Sequence, residues 1–134
     1  MARIASIAKT TASASDVERA LLKIDAKAPV LRIVRVRHDD DDRPLSYEEV
    51  VLSLERFPGL ASDSDPPPDI LELARRYGLS LGRATERATI ATTTADVASH
   101  LGIAAGSNMV KLDRIIETAD GVPVEWRVAF FRPD

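Results

Sequence analysis

The chain has 134 residues, a formal net charge of −3 and no cysteine, which excludes disulfide bonds and zinc sites built on thiolates. Hydrophobic residues make up 45% of the sequence, so residues 1–134 are expected to form one domain around a single core. No apolar run approaches the ~20 residues of a membrane span, and the acidic balance disfavours direct binding of a phosphate backbone.

The first part of the chain predicts a strand, a short helix and a β-hairpin, in that order. Ser15 suits the N-cap of the helix, because carboxylates follow it in the first turn. Branched residues then favour two strands joined by an aspartate-rich turn. The expected bounds are 3–9 for the first strand, 15–24 for the helix, and 30–38 and 45–54 for the hairpin strands, with residues 10–14 as a polar connection.

A second group of elements follows a break at Phe57-Pro58-Gly59. Residues 62–68 consist of Ser, Asp and Pro, and predict an exposed connection that makes residues 60–69 a candidate gate. Asp69 is the expected N-cap of a helix that ends at Arg76, before Gly78. A strand at 81–92, a helix at 94–102 and a hairpin of 108–118 with 122–132 complete the prediction.

The two parts are faint copies of each other. Arg35 recurs as Arg114 and Pro44 as Pro123, in both cases 79 residues later, which indicates an internal repeat rather than a solenoid. The predicted fold class is therefore α+β, with about six strands in a largely antiparallel sheet, three short helices covering one face, and an internal pseudo-twofold repeat.

Charged residues occupy one face of the first hairpin. Arg35 and Arg37 share a face of their strand, and a turn centred between residues 41 and 42 places Arg35 opposite Glu48. A carboxylate among apolar residues needs a partner, so the pair is either a salt bridge at the sheet rim or part of an anion site. In the last strand Glu125, Arg127, Ala129 and Phe131 share a face that is either solvated or ligand-binding.

No catalytic, metal or cofactor motif stands out in the sequence. The histidine and four consecutive aspartates at residues 38–42 lack the alternating spacing of a calcium loop. We therefore expect neither a metal site nor a cofactor.

Several short motifs, taken in order, resemble a known family. They are Val34-Arg35-Val36-Arg37, Arg43-Pro44-Leu45-Ser46-Tyr47-Glu48, Phe57-Pro58-Gly59-Leu60, Thr94-Ala95-Asp96-Val97, Leu101-Gly102-Ile103, Asp120-Gly121-Val122-Pro123-Val124-Glu125-Trp126 and Phe131-Arg132-Pro133-Asp134. Their order and spacing resemble the UTRA domain, the effector-binding module of GntR-family transcriptional regulators of the HutC type.

This resemblance implies a chorismate-lyase-like fold, binding of a small-molecule metabolite and homodimerisation. In sugar-phosphate-sensing members, two arginines separated by one residue hold the phosphate, and Arg35 and Arg37 match that pair. Glu48 matches a carboxylate of the following strand and Glu125 one of the last strand. The resemblance therefore implies that these four residues bind the effector.

Three positions depart from the pattern of those members. Asp69 and Leu71 stand where a small hydroxyl residue and a tyrosine begin the middle helix, and Phe131 replaces the tyrosine of the last strand. We count all three among the expected ligand-binding residues. Because hydroxyl donors are lost and a negative charge is added, the expected effector is less anionic or more apolar than a sugar phosphate.

The resemblance also implies a function in transcription regulation. Such regulators carry a winged helix-turn-helix domain before the effector-binding module, and residues 1–134 contain no counterpart of that domain. We expect a cytoplasmic, non-enzymatic sensor domain, excised, truncated or stand-alone, that contacts DNA only indirectly through a winged-helix domain and does not contact membranes. The alternatives are a chorismate-lyase-like enzyme and a stand-alone dimerisation module with a degenerate pocket.

Overall fold

The computed structural model describes residues 3–63 and 69–133. Within them, the strands are β1 Arg3–Ser13, β2 Pro29–His38, β3 Pro44–Ser53, β4 Leu81–Thr92, β5 Asn108–Thr118 and β6 Pro123–Phe131. The α-helices are α1 Asp16–Leu22, α2 Ile70–Arg76 and α3 Ala95–Leu101. The strands form one antiparallel sheet in the order β1-β2-β3-β6-β5-β4.

The strand order confirms the internal repeat. Each half runs strand, helix, strand, strand, and the halves meet where β3 pairs with β6 at the centre of the sheet. Arg35 pairs in register with Glu48 in the first half, and Arg114 pairs with Arg127 at the equivalent place in the second. The same backbone pattern therefore carries different charges in its two copies.

The helix starts follow the predicted caps. The Ser15 hydroxyl accepts a hydrogen bond from the Glu18 backbone N–H at 3.2 Å, and Asp69 and Thr94 cap α2 and α3 in the same way. Glu18 completes a capping box by accepting from the Ser15 backbone N–H at 2.8 Å. Gly102, with φ of 68°, ends α3 in the left-handed conformation.

Two expectations about the elements are wrong. The first strand extends to Ser13 rather than ending at Lys9, because residues 10–13 continue the pairing with β2. The helices do not cover a single face. Alternate residues of a strand point to opposite faces, and the helices pack against residues of both sets.

The sheet thus separates two apolar layers. On one face, Leu22 of α1 packs with Val30 and Val51, and Val97 and Leu101 of α3 pack with Val36 and Tyr47. On the other face, Ile70 and Leu73 of α2 pack with Leu31, Ile33, Val50 and Leu52. We call these the α1/α3 face and the α2 face.

The candidate gate is described only in part. Residues Leu60–Ser62 form a 3₁₀ turn, in which Leu60 is buried in the core under α2. Residues 64–68 of the expected gate lie outside the described ranges. Across the described ranges, no helix has the length and apolar character needed to cross a membrane.

We expect Glu18→Gln to lower the free energy of unfolding by about 2 kcal/mol. The carboxylate is buried and accepts two hydrogen bonds of 2.8 Å from Arg32 besides its capping bond. Chemical denaturation at pH 7 would measure the loss. Asp16→Asn is the matched control, since Asp16 is a first-turn carboxylate with a fully exposed side chain; equal losses in the two variants would contradict the prediction.

Candidate anion-binding site

The middle of the α2 face carries an unusual number of charged side chains. The registers of β2, β3, β5 and β6 place alternate residues of these strands on this face. The charged residues they contribute are Arg35, Arg37, Glu48, Arg114, Glu125 and Arg127. The apolar residues under α2 adjoin this cluster on the same face.

A buried ion pair lies at the centre of this cluster. Arg35 and Glu48 are each 3% exposed, and the Arg35 Nε donates to Glu48 Oε1 at 2.8 Å, which confirms the predicted facing of the two residues. The second oxygen accepts from Arg37 Nε and Ser46 Oγ, both at 3.2 Å. The Arg35 Nη2 is buried and has no hydrogen-bond partner among the described residues.

The electrostatics of Glu48 follow from these contacts. Burial alone would raise the pKa of Glu48, but the hydrogen bond and charge of Arg35, followed by those of Arg37, outweigh burial and hold the pKa below its ordinary value. The carboxylate is therefore ionised at neutral pH and binds both guanidinium groups.

A cavity of about 340 Å³ opens beside this pair, between the sheet and the start of α2. Its volume lies at the small end of the range usual for ligand pockets. Its apolar wall is formed by Ile4, Ile70, Leu71 and Ile116, and its charged lining is formed by Arg37, Asp69, Arg114 and Arg127. The cavity therefore combines apolar surface with three guanidinium groups and one carboxylate.

The structure brings most of the predicted site residues together. Arg37, Asp69 and Leu71 line the cavity, while Arg35 and Glu48 are linked to it through Arg37. Asp69 also has a structural role, because its Oδ1 accepts from the Leu71 backbone N–H at 2.9 Å.

The two predicted residues of β6 differ in their placement. The buried Glu125 accepts from Arg114 Nη2 at 3.3 Å. Phe131 lies on the same face, opposite Ser46 of β3, but the cavity lining does not include it. Glu125 is thus tied to the cavity through Arg114, whereas Phe131 neighbours the site in the sheet.

Sequence reasoning did not include Arg114 and Arg127 in the site. Arg127 makes no hydrogen bond or ion pair with any residue in the described ranges; burial lowers its pKa, the charge of Glu125 opposes this effect and that of Arg114 adds to it. Two signals pointed to these residues. Arg127 alternates with Glu125 along β6, and the internal repeat relates Arg114 to Arg35.

A second cavity, of about 390 Å³, lies on the α1/α3 face, beside Trp126 and Val128. Its arginine, Arg32, is already bound through two hydrogen bonds to Glu18. The smaller cavity on the α2 face is the better candidate for binding a charged ligand, because three guanidinium groups line it and that of Arg127 makes no hydrogen bond or ion pair with the described residues.

Comparisons with known proteins agree with this architecture. The model of the UTRA domain family matches residues 2–134. The HTH-type transcriptional repressor PhnF of Mycolicibacterium smegmatis is 30% identical over 128 residues, which cover 96% of this chain and 52% of that protein. This chain thus spans about half the length of that relative.

Solved structures give the same result. The effector domain of PhnF superimposes with a TM-score of 0.92 at 28% identity, and the match covers 100% of this chain and 82% of that one. A GntR-family transcriptional regulator from Enterococcus faecalis shares the fold, with a TM-score of 0.83 at 19% identity and coverage of 96% and 92%. The chain belongs to the UTRA domain family.

Proposed function

We propose that this chain is the effector-binding domain of a HutC-type regulator and that it binds a small anionic metabolite on the α2 face. The observation that carries the proposal is the position of Arg37. Its side chain lines the cavity, while its Nε shares the Glu48 carboxylate with the buried Arg35. A guanidinium held in this way is already oriented before an anion arrives, which lowers the entropic cost of binding.

The charge of the cavity supports an anionic effector. The sequence predicts a less anionic ligand partly because the negative charge of Asp69 opposes the positive charges of Arg35 and Arg37. Arg114 and Arg127 add two further cations to the same surface. Asp69 is exposed and engaged in capping α2, so water screens much of its charge.

We further propose that the domain works as a homodimer. Residues 82–90 of the edge strand β4 are all exposed, which is unusual for a strand of this length in an isolated domain. Ile90 is 71% exposed and lies opposite Val110, which is 44% exposed and lies opposite Phe131. This apolar row suits contact with a second copy of the chain.

The same row suggests how effector binding in the cavity alters the contact with the second copy of the chain. Phe131 neighbours Ser46, which lies opposite Arg37 in the sheet. A change around Arg37 therefore has a short path to the proposed dimer surface. The effector would favour one dimer arrangement by binding it more tightly, and an attached winged-helix domain in the cytoplasm would convert that arrangement into stronger or weaker DNA binding.

Sensing is favoured over the other two functions considered from the sequence. The proteins matched by this chain are named as transcriptional regulators, which supports a non-enzymatic role over a chorismate-lyase-like one. A degenerate pocket would have lost its costly buried charges, but this one retains Arg35 and Glu48 at 3% exposure.

We expect Arg37→Gln to weaken anion binding at least about ten-fold, because one charge-assisted hydrogen bond is lost. The melting temperature should change little, since Glu48 keeps its bond to Arg35. The measurement is a thermal-shift titration with a panel of sugar phosphates, other phosphate esters and carboxylates. Arg43→Gln, in the exposed turn of the same hairpin, is the control. A panel without effect on the wild-type domain, or equal affinities in wild type and Arg37→Gln, would refute the proposal.

We expect Glu48→Gln to destabilise the domain by about 3 kcal/mol at pH 7, because it leaves the buried Arg35 without a counter-charge. The folded-state pKa of Glu48 is lowered, so its stabilising contribution is present above the unfolded value of about 4.3 and is lost as the pH falls through the folded value. Chemical denaturation should show a smaller difference in the free energy of unfolding between wild type and Glu48→Gln below pH ~4 than at pH 7. Glu49→Gln, exposed on the same strand, should show no such loss.

We expect the domain to elute as a dimer in size-exclusion chromatography with light scattering, and Ile90→Arg to shift it to a monomer of 14.6 kDa. A charge at the centre of an apolar interface is unpaired and desolvated. Val17→Arg is the control, since Val17 is 56% exposed on α1, away from β4. A dimer that survives Ile90→Arg would place the interface elsewhere.

A further inference from the structure

The candidate site contains more cationic groups than a single bound anion needs. On the α2 face, the guanidinium groups of Arg35 and Arg37 converge on Glu48. Arg114 and Arg127 face each other in the register of β5 and β6 and line the same cavity. Two adjacent guanidinium groups repel each other unless an anion lies between them.

Among the described residues, the nearby carboxylates contact Arg114 but make no hydrogen bond or ion pair with Arg127, on which Glu125 acts only through its charge. Arg114 Nη2 lies 3.3 Å from Glu125, and its Nη1 lies 3.8 Å from the half-exposed Glu86. The buried Arg114 Nε has no hydrogen-bond partner within the described ranges. Arg127 makes no hydrogen bond or ion pair there either, although it is partly buried. Several N–H donors of these two arginines are therefore available to a ligand.

We propose that Arg114 and Arg127 form a second anion-binding subsite and that the effector carries two acidic groups on a short stem. One group binds at Arg37 and the other at Arg127 with Arg114, while the stem lies against Ile70, Leu71 and Ile116. This inference rests on the proposed function and adds the class of ligand, a small molecule with an acidic group at each end.

Two further observations support this arrangement. The internal repeat relates Arg35 to Arg114 and Glu48 to Arg127, so a carboxylate of the first copy is replaced by a cation in the second. A salt bridge of the sheet thus has a like-charged pair as its counterpart. The cavity volume of about 340 Å³ suits a small metabolite rather than a long chain.

A matched pair of probes tests the second subsite. Glycerol 3-phosphate has one acidic group, and 3-phosphoglycerate has the same length with a carboxylate at the other end. At equal ionic strength, we expect the wild-type domain to bind 3-phosphoglycerate about ten-fold more tightly in calorimetric titrations. Arg127→Gln should abolish this preference without weakening glycerol 3-phosphate, whereas Arg37→Gln should weaken both probes.

The ligand-free domain provides a second readout. Arg127→Gln should raise the melting temperature, because burial and the neighbouring Arg114 disfavour the charge of Arg127 and the change breaks no hydrogen bond among the described residues. Arg83→Gln, an exposed arginine of β4, is the control and should leave the melting temperature unchanged. A lower melting temperature for Arg127→Gln would make Arg127 a structural residue and overturn the subsite.

The remaining outcomes separate this inference from the proposed function. Equal affinities of the wild-type domain for both probes, unchanged by Arg127→Gln, would overturn the second subsite and leave a sensor with a single anion site. Failure of both probes to bind the wild-type domain at millimolar concentration would overturn the two-ended ligand. The broader proposal of effector binding would then depend on the anion panel used for Arg37→Gln.

Discussion

The ion pair between Arg35 and Glu48 is the constraint on which the candidate site depends. Removing two charges from water costs several kcal/mol per ion, and their attraction offsets this only with good geometry and further hydrogen bonds. The β2–β3 hairpin supplies that geometry by placing the two residues opposite each other. Glu48 gains its further bonds from Arg37 and Ser46. The same bonds that stabilise the buried carboxylate therefore orient Arg37 towards the cavity.

The cluster is asymmetric although the two halves of the sheet share one backbone pattern. Both halves place an arginine on the middle strand of the repeat, but its partner is Glu48 in the first half and Arg127 in the second. Because β3 and β6 are adjacent at the centre of the sheet, the ion pair of Arg35 with Glu48 lies beside Arg127, which has no ion-pair partner among the described residues. Each half contributes two arginines and one glutamate to the cluster, but only in the first half do both arginines donate to the glutamate.

Local signals predicted most of the fold and, within the candidate site, the facing of Arg35 and Glu48. Ser15 and Thr94 identified helix starts through their own side chains, and the position of one hairpin turn gave the register of Arg35 with Glu48. The location of α2 opposite α1 and α3 could not be predicted, because it depends on a contact between distant segments. Arg127 was placed on the correct face with Glu125, but its role depends on the pairing of β3 with β6, which no turn specifies.

In the proposed sensor, the charge of Arg127 would supply part of the free energy that a conformational response needs. A ligand shifts a conformational equilibrium only by its difference in affinity for the two states. Burial and the charge of Arg114 lower the pKa of Arg127, and the charge of Glu125 opposes them, so an anion bound beside Arg127 would stabilise its charged form further. An arrangement that draws Arg114 and Arg127 around an anion is disfavoured without ligand and favoured with it. If the domain binds an anion as proposed, contacts of Arg114 and Arg127 with that anion would favour the arrangement that brings the two arginines together.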